Sequence, residues 1–283
     1  MGEEVTALLR WILAHDPPRQ IVLCCRETPT AYYGPGTTLV VWDTCLYEAS
    51  IGLPAQLCAL GVGHVGVAEC PQHDERCREQ LLAWQSLTPT CVSSASPVTR
   101  GIRRKHVSLI LGEITLPRRM ILGLGLSDRS PIPIRADDAT RTLAAIDVLR
   151  ARGLIHSGQA MAAPLGAVDL RAQGCNACGV CVQACPHEAL ELRHDATGSR
   201  LVHHANRCRG ERQCLVLCPL HALNADHALP LSDMLQREKR VLAHLETVSC
   251  QRCGARHPAY EGDLCQICQF RSAHPFGSMW PPA

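Results

Sequence analysis

Four cysteines and a proline in one short run constrain this chain more than any other feature. Residues 175 to 186 read Cys-Asn-Ala-Cys-Gly-Val-Cys-Val-Gln-Ala-Cys-Pro, which is a Cys-x2-Cys-x2-Cys-x3-Cys-Pro spacing. With two-residue spacers, one tight loop can direct three thiolates to three irons of a single cluster, and the fourth iron takes its cysteine from elsewhere in the chain. Few other chemistries use cysteines at this spacing, so this first run predicts an iron–sulfur cluster.

A second run repeats the first with one cysteine replaced. Residues 208 to 219 read Cys-Arg-Gly-Glu-Arg-Gln-Cys-Leu-Val-Leu-Cys-Pro. Cys208, Cys214 and Cys218 keep the first, third and fourth positions, and Glu211 takes the second. The text after each fourth cysteine is also echoed, as Cys-Pro-His-Glu-Ala-Leu in the first run and Cys-Pro-Leu-His-Ala-Leu in the second. The chain therefore contains two similar halves in this region.

Together the two runs resemble the dicluster ferredoxin family over residues 166–228. The resemblance implies a pseudo-twofold fold in which the fourth cysteine of each run crosses to the other cluster. It gives a first, [4Fe–4S] cluster the ligands Cys175, Cys178, Cys181 and Cys218. It gives a second cluster the ligands Cys208, Cys214 and Cys185, with Glu211 in the vacant place.

The second ligand set leaves its cluster type open. Three thiolates hold a [3Fe–4S] cluster, or a [4Fe–4S] cluster completed by the Glu211 carboxylate or a solvent ligand. A carboxylate is harder than a thiolate and suits this iron less well. We expect a three-cysteine cluster of either stoichiometry. The competing interpretation is that this half has lost its cluster and kept only the fold, and three surviving cysteines count against it.

Composition limits the class of protein. The 283 residues suffice for two or three domains, and a net charge of +2 argues against a whole-chain nucleic-acid binder. The chain has eighteen cysteines, and most of them stand in closely spaced runs. This spacing favours metal ligation over disulfides and predicts a reducing, cytoplasmic location. No stretch of eighteen apolar residues and no N-terminal apolar core is present, so we expect neither a membrane span nor a signal peptide.

Residues 1–95 alternate between helical and strand patterns, which predicts a small parallel α/β layer. The expected helices cover residues 5–13, 54–60 and 74–87, and the expected strands cover 21–23, 39–42 and 65–68. Cysteines follow the strand ends at Cys25, Cys45 and Cys70, with Cys77 a little further on. Ligand sites in open α/β sheets gather at the carboxyl ends of strands, so these four thiols are candidate ligands.

This segment resembles the small iron–sulfur (delta) subunit of methyl-viologen-reducing hydrogenase over residues 18–87. The resemblance rests on Ile-Val-Leu-Cys-Cys at 21–25 and Leu-Gly-Val-Gly-His-Val-Gly-Val-Ala-Glu-Cys at 60–70. It implies a [2Fe–2S] cluster and electron transfer between a hydrogenase or formate dehydrogenase and a partner. Cys24 is a substitute for Cys25 in that ligand set. The alternative is that all these cysteines are buried core thiols, as free cysteine often is.

Residues 96–165 read as a basic connector. Eight Lys and Arg face two acids between residues 96 and 135, a run that we interpret as solvated in preference to a docking surface for an acidic partner. An amphipathic helix is predicted over 138–152, and Gly and Ala at 158–167 indicate a linker. After the second run, apolar spacing predicts a charged helix over 231–246.

Two Cys-x2-Cys knuckles close the chain at residues 249–272. Their cysteines are Cys250, Cys253, Cys265 and Cys268. Paired knuckles suit tetrahedral zinc, and Gly254 and Gly262 fit the turns, so the segment resembles a zinc ribbon. Four thiolates leave no open position for catalysis, and two aromatic residues make nucleic-acid binding a poor expectation. The fourteen histidines, including the adjacent pair at 203 and 204, show no ligand spacing and are expected at the surface.

These patterns predict a multidomain α/β and α+β protein. Its parts are an α/β layer at 1–95, a connector with a helix at 96–165, a ferredoxin-like dicluster domain at 166–228, a helix at 229–248 and a zinc ribbon at 249–272.

No phosphate loop, dinucleotide fingerprint or evident nucleophile supports a standalone catalyst. We expect a non-catalytic electron-transfer subunit or adapter of a larger redox complex, such as a hydrogenase, a formate dehydrogenase or a heterodisulfide-reductase-like oxidoreductase. The alternative is a redox or iron sensor that uses a labile cluster and the zinc ribbon.

Overall fold

A computed structural model describes residues 2–28, 31, 33–98, 107–115, 130–156 and 164–275. The chain divides into two compact units, Met1–Ala163 and Pro164–Ala283. Within the described ranges no helix combines the length and apolar character needed to cross a membrane. Seven of the eight basic residues of the predicted connector lie outside the described residues, and so does most of the predicted linker.

The first unit is a parallel sheet with helices. Its helices are α1 Gly2–Ala14, α2 Leu53–Ala59, α3 Asp74–Leu87 and α4 Asp138–Ala151. Its strands are β1 Gln20–Cys25, β2 Thr37–Trp42, β3 His64–Val67, β4 Val92–Ser94 and β5 Val107–Ile110. The strand order is β4-β3-β1-β2-β5, and every neighbouring pair is parallel. Central β1 is buried from Ile21 to Cys25, as a strand covered on both faces requires.

The predicted α/β layer and its six elements are confirmed, but the sheet is larger than expected. The segment predicted as a connector supplies β5 to the sheet edge and α4 to the helical layer. Gln56 of α2 is fully buried and joins α4 through hydrogen bonds from its Nε2 to Asp138 Oδ1 and Thr142 Oγ1, both 2.9 Å. The Nε of buried Arg141 donates back to Gln56 Oε1 at 3.1 Å. This polar network holds α4 against α2 within the first unit.

The second unit consists of small antiparallel sheets. Its strands are β6 Pro164–Ala172, β7 Leu190–His194, β8 Ser199–His204, β9 Leu223–Pro230, β10 Lys239–Leu245, β11 Thr247–Ser249 and β12 Arg256–Pro258. Its helices are α5 Val180–Ala184, α6 Gln213–Val216, α7 Leu231–Gln236 and α8 Gln266–Ala273. β6 pairs with β9, β7 with β8, β8 also with β10, and β11 with β12. The orders β6-α5-β7 and β8-α6-β9 form two equivalent halves.

Two expectations for this unit are wrong. The linker predicted over 158–167 becomes strand β6 from Pro164 onward. The helix predicted over 231–246 ends at Gln236, because Arg237 adopts a left-handed conformation with φ of 54°. Residues 239–245 then pair with β8, and Arg240 forms an ion pair with Asp169, a buried residue of β6. Tertiary pairing with the ferredoxin-like strands therefore overrides the helical spacing of the leucines.

Candidate iron–sulfur and metal centres

The first cavity is surrounded by thiols from both cysteine runs. Its lining includes Cys175, Cys178 and Cys181 of the first run and Cys218 of the second. The first two belong to the loop before α5, Cys181 lies in α5, and Cys218 lies just beyond α6. The cavity measures about 360 Å³, counting its open mouth. The four cysteines that the ferredoxin resemblance assigns to one cluster are thus brought together.

The second cavity has the corresponding lining with one change. Cys208 and Cys214 of the second run meet Cys185 of the first, and Glu211 completes the set. The cavity measures about 370 Å³, also with its mouth. Because this volume matches that of the first cavity, the loss of one cysteine has not been accompanied by collapse of the site. The crossing of each fourth cysteine to the other half is present in the geometry of both cavities.

The backbone repeats at the position where the two halves differ. Cys178 lies between two residues of positive φ, Ala177 at 59° and Gly179 at 79°. Glu211 lies between Gly210 at 70° and Arg212 at 60°. A Cβ on Gly210 would approach Gly166 O of β6 to 2.2 Å, so glycine is required there. Glu211 therefore leaves the chain from the same loop conformation as Cys178, although its donor atom is oxygen.

Backbone amides support the crossing cysteines in the same way in each half. Ala189 N donates to Cys185 Sγ, and Ala222 N donates to Cys218 Sγ, each at 3.3 Å. Each donor lies four residues after its acceptor, beyond the Cys-Pro turn of its run. Amide donors of this kind favour a charged sulfur over a neutral one. The crossing cysteine of each half therefore accepts the same backbone hydrogen bond.

The thiol chemistry fits iron–sulfur ligation. Burial, followed by the charge of neighbouring cysteines, raises the pKa of Cys181 to about 12 in the first cavity. The same causes raise the pKa of Cys214 to about 11 in the second. Thiols held this close resist ionisation unless cations replace their protons, and metal binding supplies those cations. The donor sets therefore suit a metal cluster better than they suit a set of free thiolates.

A further group of thiols lies at the carboxyl ends of β1 and β2, in the first unit. The sulfurs of Cys25, Cys45 and Cys70 all lie within 4.8 Å of one another. Cys77, near the start of α3, brings its sulfur to 3.4 Å from that of Cys45. We call these four residues the N-terminal thiol cluster. The structure brings together all four cysteines that sequence reasoning selected.

Cys24, considered a substitute for Cys25, lies elsewhere. Successive side chains of a strand point to opposite faces, so Cys24 packs with Val22, Leu39 and Ala68 in an apolar cluster. Its thiol contacts Val40 O at 3.7 Å, and burial raises its pKa to about 12. The alternative interpretation as a core thiol thus fits Cys24. Cys25 is buried as well, and its side chain belongs to the N-terminal thiol cluster.

Two polar groups beside the N-terminal thiol cluster were missed by sequence reasoning. Thr28 Oγ1 lies 3.3 Å from Cys25 Sγ. Burial raises the pKa of Cys45 and of Cys77, and the backbone amide of Tyr47 opposes this weakly in both. Neither residue belongs to a recognisable motif. Their proximity results from the turns that follow β1 and β2.

The C-terminal knuckles form a compact four-thiol site. The sulfurs of Cys250, Cys253, Cys265 and Cys268 lie within 4.8 Å of one another. The backbone amide of Cys265 contributes most to lowering the pKa of Cys250 to about 6, whereas burial and the other sulfurs raise that of Cys268 to about 12. The two predicted turn glycines have φ of 75° and 86°. These donors can hold a tetrahedral metal ion.

The knuckles are attached to the ferredoxin-like strands. Arg256 of β12 donates from Nη2 to Asp195 O, in the turn between β7 and β8, at 2.8 Å. Its Nη1 donates to Thr247 O at 2.8 Å, and the Thr247 hydroxyl lies 2.6 Å from that of Ser199 in β8. The site therefore forms part of a continuous structure with β7 and β8.

The expectation that the histidines lie at the surface is wrong for at least three of them. His203, His204 and His257 are buried. His203 lies in β8, and burial, followed by the neighbouring His204 charge, lowers its pKa to about 4. Leu201 and His203 lie on the same face of β8 by strand alternation, and this was the available sequence signal for a buried histidine. The signal was missed because polar side chains are rarely buried.

Comparisons with known proteins agree with this geometry for part of the chain. The family profile of the 4Fe-4S dicluster domain matches residues 174–222. A curated ferredoxin of Pyrobaculum islandicum is 40% identical over 57 residues, which cover 20% of this chain and 50% of that ferredoxin. The chain thus spans about half the length of that relative. Residues 174–222 form a 4Fe-4S dicluster ferredoxin domain, and such a domain supports iron–sulfur electron transfer.

Proposed function

We propose that this chain is an electron-transfer subunit or adapter of a larger redox complex. The observation that carries the proposal is that cysteines from two separate runs surround two cavities of equal size. Bound iron–sulfur clusters supply one-electron oxidation and reduction there. The chain's own residues hold the clusters, set their surroundings and exclude competing chemistry.

The ligands in this proposal are the thiols that line each cavity. Cys175, Cys178, Cys181 and Cys218 would hold a [4Fe–4S] cluster in the first. Cys185, Cys208 and Cys214, with Glu211 at the fourth position, would hold a [3Fe–4S] or [4Fe–4S] cluster in the second. Backbone amides donate to the crossing sulfurs, Cys185 and Cys218. Two such sites in one domain would let an electron pass from one cluster to the other.

The N-terminal thiol cluster extends the proposal to a third site. Three sulfurs at or just after the carboxyl ends of parallel strands and the sulfur of Cys77 in α3, with Thr28 beside Cys25, suit a [2Fe–2S] cluster. The resemblance to hydrogenase delta subunits supports this assignment. It also supports a hydrogenase, a formate dehydrogenase or a heterodisulfide-reductase-like enzyme as the partner.

We assign zinc to the C-terminal knuckles. Four thiolates and no other donor among the gathered groups match a closed structural site. Its attachment through Arg256 to the turn before β8 supports a role in holding the tail on the ferredoxin-like strands. Such a site would contribute folding energy and no redox step.

Anaerobic analysis of iron, acid-labile sulfide and zinc per chain tests these assignments together. Cys178→Ala should abolish the four-iron signal of the first cavity and lower the iron content, because it leaves the same three thiolates that the second cavity has, and it should leave the zinc unchanged. Cys58→Ala provides a control for the loss of a thiol, because Cys58 lies outside the gathered thiols. Cys178→Ala should also slow electron flow through a hydrogenase or dehydrogenase that co-purifies with the wild-type chain. Unchanged iron content in Cys178→Ala would refute the assignment.

A further inference from the structure

Two of the differences between the two halves concern neighbouring groups in the cavities. In the first cavity the lining includes Cys178 and Leu220. Leu220 follows the Cys-Pro pair of the second run, and His187 is its counterpart after the Cys-Pro pair of the first. In the second cavity the lining includes Glu211 and His187 at these positions. A thiol with an apolar neighbour in one half therefore corresponds to a carboxylate with an imidazole neighbour in the other.

The carboxylate and the imidazole are in direct contact. His187 Nε2 lies 2.9 Å from Glu211 Oε1, and the side chains are 30% and 45% exposed. Both side chains leave the chain from repeated backbone conformations. Glu188, after His187, has φ of 51°, and His221, after Leu220, has φ of 48°. The contact thus joins two side chains that stand at matched positions of a repeated backbone.

A hydrogen bond of this kind is what a metal-ligating carboxylate requires. A carboxylate has two oxygens, so a donor on Oε1 leaves Oε2 for a metal ion. Partners outside the ligand set fix the orientation of the ligating group, and their removal weakens metal affinity. Glutamate is longer and more flexible than the cysteine that it replaces. Without a partner it would occupy many conformations outside the cavity.

We propose that His187 is a positioning residue that holds Glu211 as an oxygen ligand for a fourth, exchangeable divalent metal ion in the second cavity. The inference rests on the proposed cluster at that cavity and goes beyond it by naming the residue that controls its fourth position. Carboxylate oxygen binds iron less strongly than thiolate does, so this ion exchanges while the three irons on Cys185, Cys208 and Cys214 remain.

A titration of the reduced three-iron form with Fe²⁺ tests the proposal, because [3Fe–4S]⁰ and Fe²⁺ combine to [4Fe–4S]²⁺ without a further electron. The loss of the paramagnetic signal of the reduced three-iron form reports occupation of the fourth position, without any measurement of electron-transfer activity. His187→Leu, which copies Leu220, should weaken the affinity for Fe²⁺ by about 10- to 100-fold. His187→Gln keeps an N–H donor and should retain most of the affinity. Leu220→His is the matched control in the other half and should leave the affinity unchanged.

Three outcomes would overturn the inference. Equal affinity in the wild type and His187→Leu would remove the positioning role. Unchanged affinity in Glu211→Gln would show that the carboxylate is not the ligand. If Cys214→Ala leaves the iron content of the chain unchanged, the second cavity holds no cluster, and the proposed function fails there together with the inference. An effect of Cys214→Ala without an effect of His187→Leu would overturn the inference alone.

Discussion

Cys218 belongs to the second cysteine run, yet its sulfur lines the first cavity, so its replacement should affect the cluster of the other half. We expect Cys218→Ser to abolish the four-iron signal of the first cavity, with loss of iron, and to preserve the second cluster. Cys185→Ser should do the reverse, because Cys185 lines the second cavity. Serine can still accept the amide hydrogen bond that each sulfur now receives at 3.3 Å. The direct cost to the fold should therefore stay within about 0.5–1.5 kcal/mol.

Paramagnetic resonance with anaerobic iron analysis distinguishes the two variants. A three-iron cluster in the second cavity would give a signal in the oxidised protein, and a four-iron cluster in the first would give one in the reduced protein. Cys218→Ser should lose the reduced signal alone, and Cys185→Ser the signal of the second cavity. If Cys218→Ser instead lost the second cavity's signal and kept the first, each run would serve its own cluster. The crossed arrangement would then be refuted.

Two further predictions concern groups outside the ligand sets. The Thr28 hydroxyl donates to Cys25 when that sulfur is charged, so Thr28→Val should lower the reduction potential of a cluster bound there by about 50 mV in protein-film voltammetry. Thr28→Ser keeps the hydroxyl and should leave the potential unchanged. An unchanged potential in Thr28→Val would contradict the hydrogen bond. Burial lowers the pKa of His203 to about 4 from 6.5, so the unfolded chain binds more protons between these values and stability falls as pH decreases from about 6.5 to 4. The loss should reach roughly 3 kcal/mol, and His203→Phe should flatten the pH dependence of the urea midpoint; an equal slope in both proteins would exclude His203 as its source.

The cysteine sites could be anticipated from sequence because ligand spacing is a local property. The run from Cys175 to Cys185 places three sulfurs on one loop whatever the rest of the chain does. The parallel layer was equally accessible, since its buried strands are short continuous apolar runs. The Cys-x2-Cys knuckles gathered their four sulfurs for the same local reason.

What sequence reasoning missed depends on distant partners. β5 is a strand because it pairs with β2, although three of its four residues are exposed. β10 is a strand because it pairs with β8, although its leucines follow helical spacing. The contact between His187 and Glu211 joins residues that lie 24 positions apart. The repeat contained a signal for it, since His187 of the first run and Glu211 of the second both depart from their counterparts, Leu220 and Cys178, and the crossed arrangement brings the two to one cavity.

Because successive side chains of β1 point to opposite faces of the sheet, the adjacent residues Cys24 and Cys25 lie in different environments. Cys24 enters the apolar packing on one side of the sheet, and Cys25 reaches the other thiols on the opposite side. A single-residue insertion or deletion within β1 would exchange the two environments while leaving the cysteine count and the double-cysteine motif intact. Comparisons of related chains therefore need to follow strand phase at this position, because counting cysteines cannot reveal which of the pair is available to a metal.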